Sequence, residues 1–216
     1  MSRQLSIFDE PSDDGKGAAA DARLAAIPDV RVNAGGTIGH AVFFALAPGM
    51  VAAGAIVESG RRVSRDLGIG GKPLEADRLH VSLYLVAHYV DVFPREDIAA
   101  SMRAADRVRF PAFDVVFDRV AKFGADRTAF VFKAGPDEPL HALHDCRHAL
   151  GRALADVGRR VTAAKTTPHM TYAYGAQDVA ETPIEPLRWR AEHLVLIDSH
   201  VGGHRHEVLG CWSFQA

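Results

Sequence analysis

Between residues 41 and 214 the chain alternates short apolar runs with longer segments whose apolar positions recur every three or four residues. Ala41-Val42-Phe43-Phe44-Ala45-Leu46 reads as a strand, closed by Pro48-Gly49. Ile56, Gly60, Val63 and Leu67 then share one helical face, with Arg61, Arg62 and Arg65 outside it and Gly68 as the stop. A strand over 78–85 and a helix over 95–107 follow. Residues 112–122 and 128–133 read as strands, and Phe123-Gly124-Ala125-Asp126 between them suits a hairpin. A second amphipathic helix is expected over 138–157, with Leu140, Leu143, Cys146, Leu150, Leu154 and Val157 on its buried stripe. Strands over 168–174, 188–198 and 206–214 complete the pattern. The order loosely repeats, so an α+β fold of two similar lobes is expected, with antiparallel sheets facing a shared cleft and helices outside.

Residues 1–37 differ from the rest. Asp13-Asp14-Gly15-Lys16-Gly17-Ala18-Ala19-Ala20 lacks bulky apolar groups and reads as a flexible tail before a domain spanning 38–216. A net charge of −2 provides no global basic field for long nucleic acid, so a nucleic-acid ligand should be small or held at an end. Cys146 and Cys211 form neither a disulfide framework nor a metal-site spacing. Neither a signal sequence nor a bilayer-spanning run is apparent, which leads us to expect a reduced, cytoplasmic protein without membrane attachment. A monomer is the default expectation.

Two segments carry specific chemistry. His80-Val81-Ser82 and His169-Met170-Thr171 each place a hydroxyl residue two positions after a histidine, within an apolar strand. Residues i and i+2 share one face of a strand, so each segment sets an imidazole beside a hydroxyl. A regular strand would send Val81, Leu83 and Leu85 to the opposite face and keep Tyr84 with His80 and Ser82. By the same rule, Tyr172 and Tyr174 would point away from Thr171. One imidazole can accept a proton near neutral pH while the other donates one, and Ser82 and Thr171 can hydrogen-bond a phosphoryl oxygen. Such a mechanism needs no cofactor and no metal.

A single strand histidine is more often a packed or surface residue than a catalyst, and the chain has 11 histidines. The others lack the matched setting. His141, His144 and His148 fall opposite the leucine stripe and read as a solvated helix face. His88 lies far along the first strand. His200, His204 and His206 could form a metal cluster by strand geometry, but nothing supplies a convincing carboxylate or thiolate partner.

These residues resemble the 2H phosphoesterases, which include the bacterial 2'-5' RNA ligase and RNA 2',3'-cyclic phosphodiesterase proteins. The resemblance runs from about Ala41 to Phe214. It rests on Phe43-Phe44-Ala45-Leu46-Ala47-Pro48, Leu79-His80-Val81-Ser82-Leu83, Pro168-His169-Met170-Thr171 and a closing strand with Trp212. It implies catalysis by His80, His169, Ser82 and Thr171 on 2',3'-cyclic phosphate RNA ends or 2'-5' linkages. For the cyclic phosphate it implies His169 activating water, His80 protonating the 3' oxygen and a 2'-phosphate product, with 2'-5' ligation as the reverse. Two positions depart from the pattern. Ser82 stands where RNA-processing members usually have Thr, and Tyr174 stands where many have Arg, five residues after the second histidine. Lys165 and Arg78 are nearby basic substitutes. Tyr84, Phe44, Lys165 and Tyr174 are thus expected to bind substrate, with either Phe43 or Phe44 able to stack a base.

Gln4-Leu5-Ser6-Ile7-Phe8 resembles the short peptide with which bacterial replication and repair proteins bind the sliding clamp. Gln4, Leu5, Ile7 and Phe8 would then make a second partner contact besides RNA ends or small cyclic nucleotides. A nucleotide-binding module with the same cleft and little catalysis is the alternative, and Tyr174 is the residue that suggests it.

Overall fold

The computed structural model describes residues 39–124, 128–159, 167–201, 203 and 205–215. The tail with its clamp-like segment, Lys165 and His204 lie outside the described residues. Eight antiparallel strands form one sheet: β1 (His40–Leu46), β2 (Val81–Tyr89), β3 (Phe113–Phe123), β4 (Thr128–Lys133), β5 (His169–Gly175), β6 (Thr182–Ala191), β7 (His193–His200) and β8 (Arg205–Ser213). Their order is β6-β3-β4-β5-β2-β1-β7-β8. Helices α1 (Met50–Asp66), α2 (Arg95–Ala105) and α3 (His141–Asp156) supply the second layer. The fold is α+β, and the two expected lobes are the two four-stranded halves of this sheet.

A β1–α1–β2 unit and a β4–α3–β5 unit flank the β5–β2 junction, where Val81 and Met170 form the one described pair. Each is the first or second residue of its strand, so β2 and β5 overlap at their beginnings and run apart. Both motif segments therefore meet at the seam.

Buried side chains gather between the sheet and the helices: Phe44, Phe117, Phe130, Phe132, Leu143, Leu150 and Tyr172 among them. Burial of a side chain of this size contributes roughly 1.5–3 kcal/mol. The helix stripes match their expected faces, with Ile56, Gly60 and Val63 buried on α1 and Leu143, Cys146, Leu150 and Leu154 buried on α3. Gly68, at φ 66, accepts the left-handed backbone just beyond α1. His141, His144 and His148 are exposed on α3, as their spacing implies. A second, smaller cluster of Ala45, Ala47, Val195 and Ile197, flanked by Phe43 and Cys211, lies on the other face of the β1 half.

The expected strand over 188–198 is instead two strands, β6 and β7, with only Glu192 between them. Six strand positions separate these two in the sheet, roughly 29 Å if it were flat. The sheet must therefore curl until its outer strands approach each other. Backbone bonds from Ala112 to Gln215, from Gln215 to Phe110 and from Phe214 to Glu192 seal that approach. The earlier part of β6 was illegible because Pro183 and Pro186 interrupt it, yet an edge strand tolerates them. No helix among the described residues is long and apolar enough to cross a membrane.

Candidate active site

His80 immediately precedes β2 and His169 opens β5. Extending the Val81–Met170 register by one residue sets Thr171 across from His80 and Ser82 across from His169. The two imidazoles thus occupy diagonal positions, where neighbouring strands hold residues about 7–8 Å apart. His80 Nδ1–H donates to the carbonyl of Arg78 at 2.8 Å, and His169 Nδ1–H donates to the carbonyl of Thr167 at 2.9 Å. A carbonyl can only accept, so both rings keep a proton on Nδ1 and leave Nε2 as the nitrogen that exchanges protons. Ser82 is exposed, and Thr171 and His169 are half-buried.

The two halves share a further device. On β2, Ser82 pairs with Ala45 and Tyr84 with Phe44, leaving Leu83 as a bulge. On β5, Thr171 pairs with Val131 and Ala173 with Phe130, leaving Tyr172 as a bulge. Each bulge falls three residues after its histidine and reverses the alternation beyond it. Tyr84 is consequently in the core, not with His80 and Ser82 as a regular strand would have it. It is 6% exposed, lies under the Arg147 guanidinium at 5.3 Å, and leaves no room for a side chain at Gly151, whose Cβ would come 2.5 Å from its hydroxyl. Leu85 is turned out instead, 54% exposed and paired with Phe43. Tyr174 likewise returns to the face of His169 and Thr171, 42% exposed and opposite Ala129.

Phe44 is fully buried and packs near Trp212, so it cannot take a base. Its neighbour Phe43 lies on the site face with its ring 5.0 Å from that of His80. Phe123 plays the corresponding part for His169 at 4.8 Å. Three more residues join the site that motif reading alone did not place there. Lys133 faces His169 across β4 and β5, its ammonium held by Glu181 at 2.9 Å. Arg119 is the next cation along that register. His206 reaches over from β8 and meets His80 edge-on, with ring centroids 5.2 Å apart. No local signal marks Lys133 or Arg119, because both depend on register between separate strands.

Burial pulls the His80 imidazole down to about 4, with the charges of His169 and Arg78 acting in the same direction against its backbone hydrogen bond. Burial also lowers His206 to about 3, followed by the influence of His80, Arg78 and His200. Both are neutral at pH 7. The site therefore presents a neutral imidazole acceptor, a second imidazole diagonal to it, two hydroxyls and cations at the rim.

A metal cluster of His200, His204 and His206 does not assemble from its described members. His206 faces the site, whereas His200 lies on the opposite face beside His40 and Asp198.

Comparisons with known proteins bear on the fold and the family. The family model of the 2'-5' RNA ligase superfamily matches residues 58–203, about two thirds of the chain. No curated protein sequence matches. Among solved structures, E. coli LigT complexed with 3'-AMP is similar with a TM-score of 0.62 at 21% identity, covering 82% of this chain and 99% of that one. LigT in its apo form gives a TM-score of 0.60 at 20% identity, with 83% and 99% covered. The protein TT0787 of Thermus thermophilus gives 0.60 at 22%, with 80% and 97% covered. At these identities the structures establish the shared fold, and the family match adds kinship: the chain belongs to the 2'-5' RNA ligase superfamily of 2H phosphoesterases.

Proposed function

We propose that the protein is a metal-independent phosphoesterase that opens 2',3'-cyclic phosphates at RNA ends, or cleaves 2'-5' linkages, by two-histidine acid/base catalysis. The observation that carries this reading is the matched pair of imidazoles, each locked by its Nδ1–H on the carbonyl two residues earlier. In hydrolysis of the cyclic ester, one Nε2 takes a proton from water as its oxygen bonds to phosphorus. The bond from phosphorus to the 3' oxygen breaks, and the other imidazole gives that oxygen a proton. The product is a 2'-phosphate and a 3'-hydroxyl. Ser82 and Thr171 hydrogen-bond the non-bridging oxygens, and Lys133 adds positive charge.

The neutral state of His80 favours it as the base and His169 as the acid, the reverse of the roles implied by family resemblance. The two exchange roles when the reaction runs toward 2'-5' ligation. A structural relative that holds 3'-AMP supports a nucleotide-sized ligand. Tyr174 in place of arginine favours the second reading, a binding module with little turnover. A panel of 2',3'-cyclic nucleotides and cyclic-ended oligonucleotides, incubated with chelator, separates them. The enzyme reading expects 2'-phosphate products; tight nucleotide binding with no turnover of any substrate would replace it with the binding reading.

A further inference from the structure

On the helix side of the β1 half, away from His80 and His169, three potential metal ligands converge. His40 opens β1, and Asp198 and His200 lie near the end of β7. Their donor atoms all fall within 4.8 Å of one another. Asp198 is fully buried, His40 is 5% exposed and the His200 side chain is 18% exposed. His40 and His200 have ring centroids 4.3 Å apart. The His200 Nε2 atom is itself buried and lacks a hydrogen-bond partner, its nearest carboxylate oxygen on Glu207 being 3.7 Å away. An orphaned buried imidazole nitrogen is costly unless something occupies it.

We propose that His40, Asp198 and His200 bind one Zn2+ ion, which fastens the start of β1 to the end of β7. Two imidazoles and one carboxylate form a donor set suited to Zn2+, with a fourth position left for water. His40 Nδ1 and Asp198 Oδ1 are 3.1 Å apart. Two ligands of a tetrahedral ion with bonds of about 2.0–2.1 Å are separated by about 3.3 Å, so these two atoms already stand at ligand spacing, and His200 Nε2, within 4.8 Å of both, closes the remaining gap on binding. It takes the place of the Nδ1 proton, which passes to Nε2 of the same ring, leaving His40 neutral. Asp198 keeps the Tyr89 hydroxyl on Oδ2, so its second oxygen is oriented from behind. His200 Nε2 supplies the third bond. Of the three C-terminal histidines only His200 takes part, and its carboxylate partner is Asp198, two residues before it.

The site is tested on the full chain after dialysis against chelator. Zn2+ titrated by calorimetry, and Co2+ followed by its visible absorption, should each saturate at one ion per chain. A His200→Gln variant keeps a side chain of similar reach but is a poor ligand, and it should lose at least ten-fold in affinity. Its thermal unfolding without metal reports whether it folds. A His80→Ala, His169→Ala double variant should retain the ion. The proposal is overturned if the wild type takes up no ion, if folded His200→Gln binds as tightly as the wild type, or if the double variant loses the ion. Since none of these readouts is turnover, failure here leaves the phosphoesterase reading standing.

Discussion

Leu85 and Tyr174 occupy the same place in the two halves of the site. Each is the fifth residue after its motif histidine, and a bulge two residues earlier returns each to the cleft face. The two motifs therefore extend to a third facing position, apolar in one half and aromatic in the other. Phe43 and Phe123 flank the two histidines, so each half of the cleft also carries an aromatic wall.

Tyr174→Arg should strengthen binding of cyclic-ended oligonucleotides. A hydrogen bond to a charged group is worth about 1.5–3 kcal/mol, so KM should fall roughly ten-fold or more with kcat little changed. Steady-state kinetics check this. An unchanged KM would mean that position 174 does not reach the substrate.

Phe43→Ala should weaken nucleotide binding if its ring stacks a base. Stacking of about 1–3 kcal/mol corresponds to a rise in KM of roughly 5–150-fold. Phe44→Ala should behave differently, lowering stability by about 3–5 kcal/mol through a core cavity. Chemical denaturation of both variants, read beside their KM values, separates the two effects.

The pH profile follows from His80. Its folded-state value of about 4 places the acidic limb of kcat/KM near pH 4, provided His80 is the base in the free enzyme. A bound phosphate anion favours the imidazolium, so the limb of kcat should lie higher. His206→Ala admits water beside His80 and should move the kcat/KM limb upward.

Stability should decline in acid through the same two rings. Both His80 and His206 have folded values below 6.5, so the unfolded chain binds protons that the folded chain refuses. Their neutral, buried state costs nothing extra above pH 6.5. The folded state loses ground as pH falls from 6.5 to about 4 for His80 and to about 3 for His206. Denaturant unfolding across this range should show a shallower slope for His206→Asn.

The site was legible where its chemistry is local. A histidine and a hydroxyl two residues apart share a face in any strand, and the helix stripes follow from spacing within one segment. What escaped depends on partners. The bulges at Leu83 and Tyr172 arise in pairing with β1 and β4, and they alone decide that Tyr84 goes inward and Tyr174 outward. The choice between Phe43 and Phe44 needs the position of the helices. Lys133 opposite His169 is a matter of register, and Asp198 beside His40 bridges distant strands.

The central claim is that His80 and His169 act together as one acid/base unit. The most direct test is kcat/KM for a 2',3'-cyclic nucleotide in His80→Ala, His169→Ala and the double variant, each verified as folded. General acid–base groups contribute roughly 10²–10⁴-fold each, and groups that act as a unit are far from additive. Each single variant should therefore lose at least about a hundred-fold, and the double variant should be little worse than the poorer single. Turnover near the wild-type rate in either single variant would contradict the account.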